Sequence, residues 1–146
     1  MSTRKYSVPV FLDGLVSQEK YEHWLTQKAR AHVQRDQKKI QNISTMLYKE
    51  LIHKAVQKSQ GRDAYTGEDL DWSLLSKWRN DEAKRLGSSY KKKFALLPSV
   101  DHAFGRDGLP VFEICSWRMN DAKNDLSIEE FIDLSRKVLK NINNLI

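Results

Sequence analysis

Apolar positions along this chain keep two rhythms. From Gln18 to about Gln41 they recur at three- and four-residue steps, with Tyr21, Trp24, Leu25, Lys28, Ala31 and His32 along one side. That spacing predicts a helix, capped by Ser17, with Glu19 and Glu22 near its positive end. A second helix is expected from Ser44 or Thr45 to about Ser59, on a stripe of Leu47, Leu51, Ala55 and Lys58, with Gly61 ending it. Ser127-Ile128-Glu129-Glu130 reads as a capping box opening a last helix. Its apolar face, including Phe131, Ile132, Val138, Leu139 and Ile142, is expected to pack on the middle of the chain as scaffold.

Between the second and last helices the rhythm changes. Two apolar runs, Phe94 to Val100 and Val111 to Cys115, flank a loop bearing Gly105 and Gly108. They predict two strands, and Ser116 to Asp125 predicts a short helix after them. Residues 1–16 read as an arm with an extended piece at 8–12, and residues 62–70 as a turn in which Thr66 or Asp69 bonds local backbone. Asp71 to Trp78 is a short helix or loop, and 79–93 an exposed loop. The fold class expected is α+β, mostly helical, with a helical region over 1–61 and a hairpin-and-helix core over 62–146.

Charge narrows the partners. The net charge is +6, and residues 17–62 hold ten Lys/Arg against four Asp/Glu, an excess equal to that of the whole chain. Such a surface attracts polyanions, nucleic acid first. Arg35, Lys38, Lys39, Lys91, Lys92, Arg106, Arg118 and Lys123 are the candidate phosphate contacts. Cys115 is the one cysteine, so no intramolecular disulfide and no cysteine-based zinc knuckle can form. No signal peptide and no run of roughly 20 apolar residues is seen, so a soluble, cytoplasmic protein is expected. His23, His32 and His53 lack ligand spacing and are assigned to packing or surface.

The chemistry concentrates at Asp101-His102, where the first strand stops, and at Asn120 on the returning helix. Neighbouring side chains at a strand end point different ways. Asp101 can therefore face a metal while His102 takes a proton from water. A carboxylate and an amide carbonyl are hard ligands suited to Mg²⁺ or Mn²⁺.

The pattern Asp101-His102, loop, strand, Asn120-x-x-Lys123, with Tyr65-Thr66-Gly67-Glu68 upstream, resembles the HNH (ββα-metal, His-Me finger) endonucleases over about Arg62 to Val138. The resemblance implies a ββα-metal core and a metal-dependent nuclease hydrolysing DNA, with RNA as an alternative substrate. His102 is then the general base, Asp101 and Asn120 hold one divalent ion, and the product carries a 5′-phosphate. Two departures stand out. The motif's middle asparagine, which orients the histidine loop, falls near Val111, so a loop carbonyl or Glu113 would have to do that work. The zinc-binding cysteine pairs of many members are also absent. One such centre cuts one strand, so a double-strand cut implies a homodimer, expected through the N-terminal helices. The rival reading is a non-catalytic nucleic-acid-binding protein on a degenerate HNH scaffold.

Overall fold

The computed structural model describes residues 5–105 and 108–145. Among them the elements are α1 (Gln18–Asp36), α2 (Thr45–Ser59), α3 (Asn80–Leu86), α4 (Ser88–Lys93), β1 (Pro98–His102), β2 (Phe112–Ser116), α5 (Trp117–Lys123) and α6 (Ile128–Leu145). Single 3-10 turns at Val10–Leu12 and Trp72–Leu74 complete them. The class is α+β. No helix of the described residues is long and apolar enough to cross a membrane.

Local chemistry sets most helix starts. Ser17, Ser44 and Ser116 each accept a backbone N–H three residues ahead, at 3.0–3.2 Å. At α6 the capping box closes reciprocally: Ser127 Oγ accepts from Glu130 N at 3.1 Å, and Glu130 Oε1 accepts from Ser127 N at 3.0 Å. These bonds hold the Glu130 carboxyl below its usual range. The α2 helix ends on Gln60 and Gly61, both at positive φ, and a Cβ on Gly61 would meet the Phe11 ring at 3.2 Å. Glycine is needed there for conformation and for space.

Several expectations shift. The first helix stops at Asp36, short of Gln41, with Lys38 and Lys39 beyond it. The segment 8–12 forms a 3-10 turn, since Pro9 N cannot pair in a ladder and Leu12 folds in to bury. Residues 79–93 are two short helices. They are held by an aromatic group in which Trp78 lies 5.1–5.6 Å from the Tyr90, Phe94 and Trp117 rings. Only the last residues of the first apolar run are strand, because Phe94 to Leu97 turn to fill that cluster. The largest change is at α6. Only the first turn of its apolar face is covered, with Ile128 and Phe131 half-buried; Ile132, Val138, Leu139 and Ile142 are all exposed.

One core joins the two halves of the chain. The α1 and α2 helices pack together, α2 lies on β2, and α5 lies on both strands. In the antiparallel register Val100 faces Ile114 and His102 faces Phe112. This side of the hairpin meets Tyr21, Leu25, Tyr48 and Ile52 of the helices in the core. The alternate residues, Ser99, Asp101 and Cys115, face away from it. The outer edge of β2 is covered by the 62–69 turn, where Ala64 N donates to Ile114 O at 2.8 Å. The outer edge of β1 meets side chains instead, and there the cavity described next opens.

Candidate active site

Along the outer edge of β1, between the end of α1 and α5, lies a cavity of about 400 Å³. His32, Arg35, Asp101, His102, Asn120, Asp121 and Asp125 are among the residues that border it. Two side chains take the outward carbonyl of Val100: His32 Nε2 donates at 3.2 Å and Asn120 Nδ2 at 3.4 Å. Asn120 Nδ2 also donates to Ser99 Oγ at 2.9 Å. With its nitrogen end bound to the strand, Asn120 turns its carbonyl oxygen the other way. The three residues singled out in the sequence, Asp101, His102 and Asn120, thus border one space.

Their surroundings differ from the expectation of an open pocket. Asp101 is 4% exposed and already engaged: Lys123 Nζ is 3.1 Å from Oδ2, and Tyr65 donates its hydroxyl to the same oxygen at 2.6 Å. Lys123, expected on the surface at a phosphate, is 1% exposed, because α5 brings it inward over the carboxylate. Burial first, and then the bond to Asp101, pushes the Tyr65 hydroxyl far up, so it stays a donor. The Cys115 thiol lies under the same network. Burial, then Asp101 and Asp63, raises it, which keeps it protonated and unreactive.

His102 points to the other side of the strand. It is 5% exposed, its ring edge-on to Phe112 at 5.7 Å, and Nε2 lies 3.4 Å from Asp36 Oδ2. Asp36 in turn accepts the Tyr48 hydroxyl at 2.7 Å. The carboxylate beside Nε2 favours the tautomer with its proton there and its lone pair on Nδ1. The Val111 side chain is exposed, and its backbone carbonyl accepts the N–H of Ala103, next to His102, at 2.9 Å. Glu113, the sequence's other candidate to steady His102, pairs with Lys58 at 3.0 Å instead. The group facing the imidazole comes from α1.

Asp36, Tyr48 and Asp63 are neighbours of the site that the sequence reading does not single out, and Tyr65 appears there as part of a turn and not as a partner of Asp101. Asp36 extends the buried stripe four residues past His32, which is a legible signal. Asp63 precedes Tyr65-Thr66-Gly67 as the acceptor of an Asx turn, with Oδ1 taking the Tyr65 and Thr66 N–H groups at 2.7 and 3.0 Å. Its other oxygen takes Ser116 N at 2.8 Å, tying that turn to the start of α5. Among the expected phosphate contacts, Arg35 borders the cavity, and Arg118, Lys91, Lys92, Lys38 and Lys39 are exposed. Arg106 lies outside the described residues. Of the remaining histidines, His23 is exposed, and His53 is buried 2.7 Å from the Tyr21 hydroxyl. No group of three or more His, Cys, Asp or Glu that could hold a metal forms among the described residues. Compared with protein-family models, with curated proteins and with solved structures, the chain matches none.

Proposed function

We propose that this protein is a divalent-metal-dependent endonuclease with an HNH-like ββα-metal centre, hydrolysing phosphodiester bonds of DNA. The observation that carries the reading is the shared cavity: Asp101, His102 and Asn120, from a strand end and the following helix, border about 400 Å³ of space with Arg35 at its side. The residue types match the resemblance noted in the sequence.

The donors suit a hard ion in kind. A carboxylate and an amide carbonyl are joined by Asp121, Asn124 and Asp125 around the same space. One condition applies: the ion must share Asp101 with Lys123 or displace its ammonium, which sits at 3.1 Å. Asp101 and the carbonyl of Asn120 would hold the metal. When bound, a divalent ion supplies positive charge to the phosphate and to the departing oxygen. The chain's own residues do the rest. Asp36 steadies the imidazole at Nε2, which leaves the lone pair on Nδ1 as the proton acceptor. A second condition applies: Nδ1 is buried and must open to the cavity before a water can reach it. Tyr48 keeps Asp36 in position through its hydroxyl. Arg35 offers a bidentate donor to phosphate oxygens, and the exposed lysines of α4 and of residues 38–39 add sequence-blind attraction.

A second reading is favoured by a specific observation. Because Lys123 and Tyr65 already satisfy Asp101, the scaffold can bind nucleic acid without cutting it. Supercoiled plasmid incubated with Mg²⁺ or Mn²⁺ separates the two. The nuclease reading expects nicking that His102→Gln abolishes while the circular dichroism of the folded chain and DNA binding persist. Binding by the wild type with no nicking under either ion would establish the second reading instead.

A further inference from the structure

We propose that a second cavity, next to the first along β1, is a subsite for one unpaired nucleotide of the strand held in the candidate active site, with Lys28 taking its phosphate and Trp78 its base. The proposal rests on the nucleic-acid reading above and deepens it. The cavity measures about 370 Å³, and His23, Trp24, Lys28, Ser76, Trp78 and Pro98 are among the residues that border it. That volume suits a small molecule or a single nucleotide unit, and it is too small for a helix or strand of a partner protein.

Lys28 is a cation on the mainly apolar stripe of α1, four residues from Trp24 and four from His32. It is half-buried, and no acidic residue is among the described residues that border the cavity. Burial first, and then the like charge of Arg35, lowers its pKa. An ammonium in such a place costs stability until an anion joins it. Beside it the Trp78 indole is held by Tyr90, Phe94 and Trp117, at 5.1–5.6 Å between ring centroids, so a base meeting it orders little that is not already ordered. A bare anion would use the lysine and leave the indole idle. An uncharged ring would leave the ammonium uncompensated. A nucleotide uses both.

Placement ties this cavity to the first. Pro98 borders the one and Val100 the other, two strand residues or about 7 Å apart. On α1 the same order holds, with Lys28 in this cavity and His32 and Arg35 in the first, about 6 Å from lysine to histidine. Stacked nucleotides rise about 3.4 Å each, so a strand with one phosphate at Arg35 comes to Lys28 within a few units. A base can enter beside Trp78 only after leaving its pairing partner, which makes unpaired strand the ligand.

The test uses the full chain and a fluorescein-labelled single strand of about 12 nucleotides, in EDTA so that no cleavage intervenes. Lys28→Met keeps the stem and removes the ammonium. It should raise the dissociation constant about ten-fold at about 50 mM salt and flatten the slope of log affinity against log salt by about 0.7. Its urea midpoint should stand at or above that of the wild type, because an uncompensated cation is gone. Lys54→Met, on α2 and bridged to Glu50 in the wild type, should change affinity less than about two-fold. A strand carrying 5-iodouracil should photo-cross-link to Trp78, with lower yield in Lys28→Met. Unchanged affinity and salt slope in Lys28→Met overturn the proposal, as do a less stable Lys28→Met chain, cross-links confined to other residues, or no binding by the wild type at roughly 100 µM. Plasmid nicking together with normal single-strand binding by Lys28→Met would remove the subsite and leave the nuclease. Binding that depends on Lys28, with no nicking under Mg²⁺ or Mn²⁺, would keep the subsite and remove the nuclease.

Discussion

Replacing Lys123 by methionine tests the central electrostatic argument. The Asp101 and Lys123 side chains are 4% and 1% exposed, and their charged atoms are 3.1 Å apart. Methionine keeps much of the lysine stem's volume and removes the ammonium. The carboxylate is then left with the Tyr65 hydroxyl as its remaining partner on Oδ2 and with almost no access to water. Breaking a buried pair from one side costs about 3–5 kcal/mol, because the surviving charge stays desolvated. At this chain length that corresponds to a melting temperature lower by about 10 °C. Removing both charges is a different perturbation. Lys123→Met with Asp101→Asn leaves a neutral amide that still accepts from Tyr65, so at least half of the loss should return. Urea unfolding of the wild type, both single variants and the double variant gives the coupling directly. A loss below about 1 kcal/mol for Lys123→Met, or a double variant no more stable than it, refutes the claim that this pair is buried and coupled. The same variants bear on the metal. With the ammonium gone, 10 mM Mg²⁺ or Mn²⁺ should raise the melting temperature of Lys123→Met more than that of the wild type, through binding to the folded state alone.

Three further outcomes follow from other parts of the structure. Asp36→Ala removes the acceptor of the buried Tyr48 hydroxyl and the carboxylate facing His102; it should cost about 2–3 kcal/mol in urea unfolding, and no loss would show that Asp36 is dispensable. Burial lowers the His53 pKa below its ordinary 6.5, so as pH falls below 6.5 the unfolded chain takes up a proton that the folded chain resists. Stability should therefore decline with falling pH in that window, less so in His53→Gln, and equal slopes for the two proteins would refute the assignment. If about four phosphates are contacted by the exposed basic residues, DNA affinity should fall about a hundred-fold between 50 and 200 mM salt, and a flat response would remove the phosphate-surface argument.

What the sequence determined by itself is what short-range chemistry can decide. Serines at 17, 44 and 127 lie within three residues of the N–H groups they cap, so three helix starts were readable from spacing, and Ser116 caps α5 in the same way. The two short strands and the helix after them were likewise legible, since alternation and punctuation act locally. Tertiary structure decided the charge states of the site and the fate of the last helix. Whether Lys123 is a surface cation or a buried counter-ion depends on a carboxylate two elements earlier in the chain and on a tyrosine in a distant turn. What steadies His102 depends on where α1 ends against the hairpin, and the answer is Asp36 rather than Glu113. The amphipathic pattern of α6 says that one face seeks cover without saying from what. Burial is a property of pairs of segments, and a pattern along one segment cannot specify its partner.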